Sequence, residues 1–371
     1  MSSALLIYGA TGYVGGHVAR RAGTLGVKAI IAGRDAAKLD RIAGETGLER
    51  RAFGLDDPAA IDSALNRVAV VLNCAGPFKY TAEPLVEGCL RCRSHYLDIT
   101  GEIPVYEAIQ ARDGQAKARG VMLLPGVGFD VVPTDCLALH LKHRLPSATQ
   151  LRLAFQTIGP AGLPPGTQRT AIELLNYGDR VRRKGKLVRP QTEGGTISVD
   201  FGAGPVQAVR VPWGDVFTAY FSTGIPDIED YVAAPPALQR QLAIGRMIAP
   251  LTTFAPIRNL LLMAVRPGPS AELRARTRTH VWGKVADEHG RRAVSRLHGP
   301  EAGLVWTTIT ALGAAQKALN GTASAGYQTP ASVLGKDFVL EGEGVTREDV
   351  ACPQSPVEEL DNRAGDLNHG I

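Results

Sequence analysis

The stretch Leu5 to Gly15, LLIYGATGYVG, decides the fold of the first part of the chain. An apolar run stops at Gly9 and a helix pattern follows, which predicts a strand, a tight turn and a helix. Gly9 permits the turn, Gly12 lets backbone approach a phosphate, and Gly15 lets the helix pack closely on the strand. Because the N–H groups at a helix start attract anions, the motif predicts a dinucleotide site. Its remaining members are Ala10, Thr11, Tyr13 and Val14. The glycine spacing departs from the commonest one, and a purely structural turn is the alternative.

The residues after the second predicted strand, Lys28–Ala32, indicate which dinucleotide is bound. An NAD site usually places a carboxylate there, which accepts a hydrogen bond from the ribose 2′-hydroxyl. This chain has Gly33 and Arg34 instead, with Lys38 one helical turn later. A guanidinium binds a 2′-phosphate through paired hydrogen bonds, so we expect NADP(H). In the alternative, Asp35 caps the next helix and Arg34 is a solvated surface residue.

Composition restricts the class of protein without naming a substrate. The 371 residues are 44% hydrophobic and 21% charged, as in a globular protein, and a net charge of +5 is too small to predict a nucleic-acid partner. Five cysteines without a leader pattern predict a reducing, cytoplasmic compartment. Cys89 and Cys92 have the spacing of metal ligands, but there is no second pair, so no metal site is predicted.

The most apolar stretch of the chain is Met247–Val265. Pro250, Pro256 and Arg258 interrupt it, so no transmembrane span is predicted. We expect a buried helix or a surface patch, with peripheral association with lipid as the alternative.

Alternating strand and helix patterns predict an α/β fold. Six strands in the first third favour a Rossmann domain with a doubly wound parallel sheet. The later pattern favours a second α+β domain with a mixed or antiparallel sheet, including a helix over Thr167–Lys184 and a strand over Phe217–Ser222. The predicted division is an NADP-binding domain at 1–132, a substrate and dimerisation domain at 133–325, a segment returning to the first domain at 326–352, and a polar tail at 353–371.

Three further loops are expected at the carboxyl edge of the parallel sheet, where ligands bind in such folds. They are Asn73–Phe78, Asp98–Glu102 and Pro125–Asp130. Their small residues would let a ribose or a nicotinamide lie against backbone. The cofactor-binding residues predicted in them are Cys74, Ala75, Gly76, Pro77, Phe78, Gly101 and Phe129.

Four segments carry a family resemblance. GATGYVG, NCAGPF, HYLDITGE and PGVGFDVVPTD, in this order, resemble the saccharopine dehydrogenase-like oxidoreductases, in the branch that includes trans-acting enoyl reductases. The resemblance extends from about Ala4 to Val350. It implies an N-terminal NADP(H)-binding Rossmann domain, a second domain that closes over the nicotinamide, hydride transfer and a homodimer.

A reductase must also deliver a proton, and three residues near the predicted nicotinamide edge could do so. They are Tyr80, Asp98 and Asp130. For Asp98 the alternative is a structural role, in which it accepts backbone N–H bonds from the turn Ile99–Gly101. None of the nine tyrosines has a lysine four residues later, which excludes the Tyr-x-x-x-Lys mechanism of short-chain dehydrogenases.

The function predicted from these features is NADPH-dependent reduction of a small molecule that is apolar, lipid-like or acyl, such as an enoyl intermediate. One alternative is a non-catalytic NADP(H)-binding sensor or scaffold. Another is a saccharopine-type imine reductase, which would require cationic side chains converging on the nicotinamide.

Overall fold

The first third of the chain forms a parallel sheet whose strands are connected by helices. The computed structural model describes residues 4–192 and 195–351. The first elements are β1 (Ala4–Tyr8), α1 (Tyr13–Thr24), β2 (Ala29–Gly33), α2 (Ala36–Thr46), β3 (Glu49–Ala52), α3 (Pro58–Ala64), β4 (Val68–Asn73), α4 (Phe78–Cys92), β5 (His95–Asp98), α5 (Ile103–Gln110), α6 (Asp113–Arg119) and β6 (Met122–Leu124).

The second part of the chain builds a mixed sheet. Its elements are α7 (Val132–Arg144), β7 (Gln150–Ile158), α8 (Pro165–Glu173), β8 (Val181–Arg183), β9 (Lys186–Val188), β10 (Thr196–Asp200), β11 (Pro205–Arg210), α9 (Asp215–Thr223), β12 (Asp227–Ala233), α10 (Pro236–Ile248), α11 (Ala255–Met263), α12 (Ala271–Ala275), β13 (Arg278–Ala286), β14 (Arg292–Gly299), α13 (Thr307–Leu319), β15 (Gly326–Tyr327), α14 (Pro330–Leu334) and β16 (Thr346–Val350). Short 3₁₀ turns cover Leu175–Tyr177, Ala249–Thr253 and Phe338–Glu341, and a π-helical turn covers Ala302–Trp306.

The strand order confirms the predicted fold class. The first sheet runs β3-β2-β1-β4-β5-β6-β15, and its pairs are parallel. The order reverses between β1 and β4, so the loops that follow these two strands diverge and leave a crevice at the carboxyl edge. The second sheet runs β10-β11-β12-β7-β13-β14-β16 with the β8–β9 hairpin beside β12; β7 pairs in parallel with β12, and its other ladders are antiparallel.

Two helices join the sheets into one core. Helix α7 follows the first sheet directly and packs against β13, β14 and α9. Helix α13 leaves the second sheet and packs on α1 and β4. At its start the indole of Trp306 is fully buried, and Gly299 makes room for it, since a Cβ there would lie 2.5 Å from the ring. The two sheets therefore share one hydrophobic core, in which residues of both are buried together.

Two of the predicted elements are wrong. The segment Phe217–Ser222 is not a strand but part of helix α9. Its aromatic and β-branched residues are typical of strands, yet Val216, Phe217 and Ala219 are buried with helical spacing against α7. The helix predicted over Thr167–Lys184 stops at α8, because the chain turns at Gly178 (φ +69°) and residues 181–183 pair with β12.

The expected return of residues 326–352 to the first domain is divided between the two sheets. Strand β15 pairs with β6 in the first sheet, whereas β16 pairs with β14 in the second. Between these strands the chain turns at Gly342, whose carbonyl accepts from Val345 N at 3.2 Å, and the buried Val345 precedes β16. The polar tail predicted at 353–371 lies outside the described residues.

The apolar stretch Met247–Val265 lies on the surface. It spans the end of α10, a 3₁₀ turn and α11, and no residue of α11 is buried. Among the described residues no helix is long and apolar enough to span a membrane.

Candidate active site

The turn between β1 and α1 has the geometry of a phosphate cradle. Gly9 has φ +81°, and a Cβ there would lie 2.8 Å from the Cβ of Ala75, so this glycine also allows the loop after β4 to approach. A Cβ on Gly15 would lie 2.2 Å from the Gly9 carbonyl oxygen, which explains the close packing of helix on turn. The buried residue Ala10 fixes the turn by donating its N–H to the carbonyl of Ala32 at 3.1 Å.

The start of α1 is open to an anion. Gly12 is the N-cap and provides no side-chain cap, and the first turn contains no acidic residue. The first intrahelical bond runs from Gly16 N to Gly12 O at 2.9 Å. The N–H groups of residues 13 to 15, including that of the half-buried Val14, therefore remain for a ligand, with the positive end of the helix dipole behind them.

Arg34 lies at the end of β2 with its charge unpaired. It is exposed, and no carboxylate from the described part of the chain forms an ion pair with it. Asp35 caps α2 by accepting from Lys38 N at 3.0 Å and also pairs with the Lys38 ammonium at 3.0 Å. The side chain of Thr11 lies 3.7 Å from the position of a Cβ on Gly33, so these small residues line the strand end.

The loop after β4 is held in place by two buried polar side chains. Asn73 accepts from Ala75 N at 3.0 Å and donates to the Tyr96 hydroxyl at 3.2 Å. Glu102 accepts from the backbone N–H groups of Phe78 and Lys79 at 2.8 and 3.0 Å. It thereby caps α4, so the start of α4 is occupied by the chain itself, unlike that of α1.

The remaining residues of this loop are small or apolar. The Gly76–Pro77 bond is cis. Burial raises the pKa of the Cys74 thiol to about 12, so that it stays protonated. The prediction that Cys74 to Phe78 line a cofactor is thus compatible with their position beside Gly9, and remains a prediction.

Asp98 holds three loops together. Its Oδ1 accepts from Thr100 N at 3.0 Å and from Gly126 N at 2.9 Å, and its Oδ2 accepts from the Tyr96 hydroxyl at 2.8 Å. Burial raises its pKa to about 6, while these hydrogen bonds act in the opposite direction. These contacts are those expected if Asp98 accepts backbone N–H bonds to hold the turn after β5. They favour a positioning role for Asp98 over proton donation.

Asp130 is the better placed acid. It follows β6 and is partly exposed, and no donor from the described part of the chain hydrogen-bonds its carboxylate. A Cβ on Gly101 would lie 2.8 Å from its Oδ2, so Gly101 makes room for the carboxylate. Burial, followed by the charge of Glu102, raises the pKa of Asp130 to about 7. A carboxyl of this kind can exchange a proton near neutral pH.

The three remaining predicted site residues, Tyr80, Tyr13 and Phe129, differ in exposure and in their contacts. Tyr80 lies in the first turn of α4, is 57% exposed and has the Lys79 ammonium 4.7 Å from its ring centre. Tyr13 donates its hydroxyl to Pro269 O at 2.8 Å and so fastens the loop before α12 over the phosphate turn. Phe129 is buried, and its N–H donates to Thr307 Oγ1 at 3.2 Å.

An aromatic cluster beside Phe129 was not identified from the sequence. The ring centres of Phe155 and Trp306 lie 5.7 and 5.5 Å from that of Phe129, and Trp213 lies 4.6 Å from Phe155. Phe155 and Trp213 are only partly buried, and the Trp213 indole N–H has no hydrogen-bond partner. The cluster gives the region after β6 an apolar wall. In the sequence, the segment Pro212 to Asp215, which contains Trp213, is the one feature that could have indicated this cluster.

Buried carboxyls under this region were also missed. Asp135 accepts from Ala331 N at 2.8 Å, and burial raises its pKa to about 6. Asp215 and Asp230 are buried, and burial, followed by the charge of Asp230 in the case of Asp215, holds their pKa values well above the usual range. Among the described residues no group of three or more His, Cys, Asp or Glu side chains is placed to hold a metal ion.

These features fit a nicotinamide dinucleotide with a 2′-phosphate. The glycine cradle excludes side chains where a pyrophosphate would lie, the start of α1 is uncapped, and Arg34 is unpaired where an NAD site would have an acid. A comparison with family models gives the same result: residues 5–124 match the "Saccharopine dehydrogenase NADP binding domain". Residues 5–124 belong to this domain family.

Relatives of this NADP-binding domain are named as oxidoreductases. The human "Saccharopine dehydrogenase-like oxidoreductase" is 28% identical over 200 residues, which is 47% of this chain and 46% of the relative. The "Trans-acting enoyl reductase" of Mycobacterium leprae is 30% identical over 151 residues, which is 38% of this chain and 36% of the relative. The matches thus span half or less of the length of these relatives.

Solved structures extend the likeness to the whole fold. Saccharopine dehydrogenase (L-Glu forming) from Saccharomyces cerevisiae matches 94% of this chain and 100% of its own, with a TM-score of 0.63 and 12% identity. A homospermidine synthase from Legionella pneumophila in complex with NAD matches 100% of this chain and 95% of its own, with a TM-score of 0.61 and 10% identity. At these low identities the matches show that the fold is shared over nearly the whole chain, and they show nothing further.

Proposed function

We propose that the protein is an NADPH-dependent reductase that transfers a hydride to an apolar or acyl substrate, such as an enoyl intermediate. The observation that carries this proposal is the pairing of an open phosphate cradle and Arg34 with a partly exposed aromatic wall after β6. The enoyl reductase named among the relatives, whose match covers 38% of this chain, supports the substrate class.

Each part of the site then has a physical task. The free N–H groups of α1 and the Arg34 guanidinium would hold the phosphates. Bound NADPH supplies the hydride. The small residues at 74–76 let a flat ring lie against backbone, and Phe155 and Trp213 exclude water from an apolar substrate. Asp130, protonated near pH 7, donates the proton to the atom next to the one that accepts the hydride.

The charges around the crevice argue against a substrate with several carboxylates. The Lys79 ammonium is bound to Glu173 at 2.7 Å. The guanidinium of Arg182 is buried and donates to the carbonyls of Val216 and Gly185 at 2.8 and 2.7 Å. These cations are already engaged within the chain, which disfavours the saccharopine-type alternative.

The test is NADPH oxidation by the purified full chain in the presence of enoyl-thioesters, followed by absorbance. We expect turnover with an enoyl-thioester and none with saccharopine. A parallel thermal-shift titration with NADPH separates binding from chemistry. Stabilisation by NADPH without hydride transfer to enoyl, carbonyl or imine acceptors would contradict the reductase and favour the sensor.

We also infer that the protein is a homodimer and that it is located in the cytoplasm. The first follows from the family resemblance. The second is supported by the free thiols of Cys74, Cys89, Cys92 and Cys136. Light scattering coupled to size-exclusion chromatography checks the oligomeric state.

A further inference from the structure

The described chain concentrates its exposed apolar side chains on one segment between β12 and β13. Thirteen large apolar residues are exposed in the described part, and seven of them lie within residues 244–263. We call these seven the apolar face. They are Ile244, Met247, Leu251, Phe254, Ile257, Leu260 and Met263. Such a concentration differs from the scattered single residues that ordinary surfaces expose.

The local geometry shows that this face has no partner within the described chain. Helix α11 reads APIRNLLLM, and none of its residues is buried. Its members Ile257, Leu260 and Met263 are spaced by three residues, so they share one side of the helix. Leu260 and Met263 are 67% and 83% exposed, and Met247 on α10 is 77% exposed. The outward side of this segment is therefore apolar.

Charge indicates what covers the face. From Tyr231 to Ala271 the sequence contains four arginines and no aspartate or glutamate. Arg246 and Arg258 approach Asp179 and Glu173 at 3.7 and 4.0 Å, whereas Arg240 and Arg266 are exposed. A two-fold contact with a second copy would place two such faces, each with arginines and no acidic residue in this segment, against one another. An anionic phospholipid surface pairs with these arginines instead, while the apolar side chains enter its interfacial layer.

A groove lies between the apolar face and the start of α4. It has a volume of about 450 Å³. One side consists of Pro77 and Tyr80 at the start of α4, and the other consists of Asn259, Leu262 and Met263 from α11. Helix α8 contributes the charged residues Arg169 and Glu173. Helix α11 thus borders both the apolar face and the start of α4.

We propose that the apolar face docks on an anionic phospholipid surface and that the groove passes an apolar substrate from that surface to the crevice. The second part rests on the proposed function, whereas the docking does not. The experiment is co-sedimentation of the full chain with vesicles of phosphatidylcholine alone, or of phosphatidylcholine with about a third phosphatidylglycerol. The wild type is expected to bind the anionic vesicles, less so the neutral ones, and less at high salt.

Paired variants make the test specific. In L260S/M263S binding to anionic vesicles is expected to fall at least about tenfold, because two exposed apolar anchors are lost. L25S is the matched control, since Leu25 is 52% exposed at the end of α1 and outside the apolar face. An unchanged thermal shift with NADPH shows that each variant is folded and that the cofactor site is independent of docking.

Two results would overturn the proposal. One is that the wild type binds neither kind of vesicle. If sedimentation then shows a dimer in the wild type and a monomer in L260S/M263S, the apolar face is a contact with a second copy. The other is equal vesicle binding by wild type and L260S/M263S. Absence of turnover with intact vesicle binding would contradict the proposed function and leave the docking in place.

Discussion

Individual side chains at the crevice divide into those that hold loops and those left for a ligand. Asp98 and Glu102 accept hydrogen bonds from the backbone of neighbouring loops, so their charges are used within the chain. Arg34 and Asp130 have no such partner in the described part of the chain. This contrast separates ligand-contacting from positioning residues more sharply than residue type does.

Arg34→Ala is expected to weaken NADPH binding about 10- to 100-fold while changing NADH binding little. The reason is that, in the proposed site, the guanidinium binds the 2′-phosphate, which NADH lacks. Isothermal titration with both cofactors measures the difference. Arg41→Ala serves as the control, because Arg41 is an exposed arginine on α2 that pairs with Glu45 at 3.8 Å. Equal losses for NADPH and NADH would refute the assigned contact.

Asp130→Asn is expected to lower kcat about 100-fold and to leave the Kd for NADPH unchanged. In the wild type, we expect activity to fall as pH rises through about 7, because the proposed donor, whose pKa is raised to about 7, then loses its proton. In Asp130→Asn this fall of activity between acid and alkaline pH should be absent. Asp62→Asn, which removes an exposed carboxylate paired with Arg91 at 2.8 Å, is the control. A pH profile unchanged in Asp130→Asn would exclude the residue as the donor.

At the scale of elements, the sequence was most informative where glycine is required and least informative where distant partners decide. Gly9 and Gly15 predicted the first strand, turn and helix, since larger residues cannot be accommodated there. Strand β12 was missed because it carries Glu229 and Asp230, charges that mask a central strand. Glu229 is neutralised by Arg152 and Arg183, whose proximity only the folded sheet establishes.

The same limit applied to the site. The role of Arg34 could be predicted because the end of β2 is identified from neighbouring residues alone, and an NAD site would have an acid at that position. The aromatic cluster joins Phe129, Phe155, Trp213 and Trp306 from four separate segments, and no local pattern connects them. Helix α9 was mistaken for a strand for a related reason, since its burial against α7 overrides local propensity.

Gly15→Ala is expected to destabilise the fold by more than about 2 kcal/mol and to abolish NADPH binding, because the new methyl meets the Gly9 carbonyl at 2.2 Å. Gly44→Ala in α2 is the matched control. No atom lies within 4 Å of the position of its Cβ, so alanine should stabilise the helix by about 0.5–1 kcal/mol. Urea unfolding of both variants makes the comparison. Similar stability changes in the two would contradict the close packing of α1.

For the molecule as a whole, the buried carboxyls make stability depend on pH. Asp215 and Asp230 have pKa values raised well above the ordinary value, so the folded state binds more protons than the unfolded state. The free energy of unfolding must then fall as pH rises toward the folded pKa values. Burial lowers the pKa of His17, His95, His140 and His280, which has the opposite effect below about pH 6.5. Above about pH 7 the histidines no longer contribute, but the buried thiol of Cys74, with its raised pKa, acts in the same direction as the carboxyls. The share of one carboxyl is therefore obtained from the difference between the wild type and a variant of that carboxyl.

Asp230→Asn is expected to reduce the loss of stability between about pH 7 and 9, where one retained proton changes the free energy of unfolding by up to about 1.4 kcal/mol per pH unit. Denaturant unfolding across this range measures the slope. Asp200→Asn is the control: its exposed carboxyl has a lowered pKa, set first by the N–H of Gly202, so it affects the slope only in acid. A slope that Asp230→Asn does not change would show that this carboxyl keeps no proton above pH 7.

The last strands have a consequence for the order in which this chain can fold during synthesis. The first sheet receives its seventh strand at residues 326–327, after the chain has passed through nearly all of the second sheet, and the edge strand β16 of the second sheet comes later still. A ribosome that has released the N-terminal 124 residues has therefore not released a finished domain, because the edge of β6 is still unpaired. Neither sheet is complete until the chain has been made through residue 350, so the two mature together although the nucleotide cradle is among the first parts to emerge.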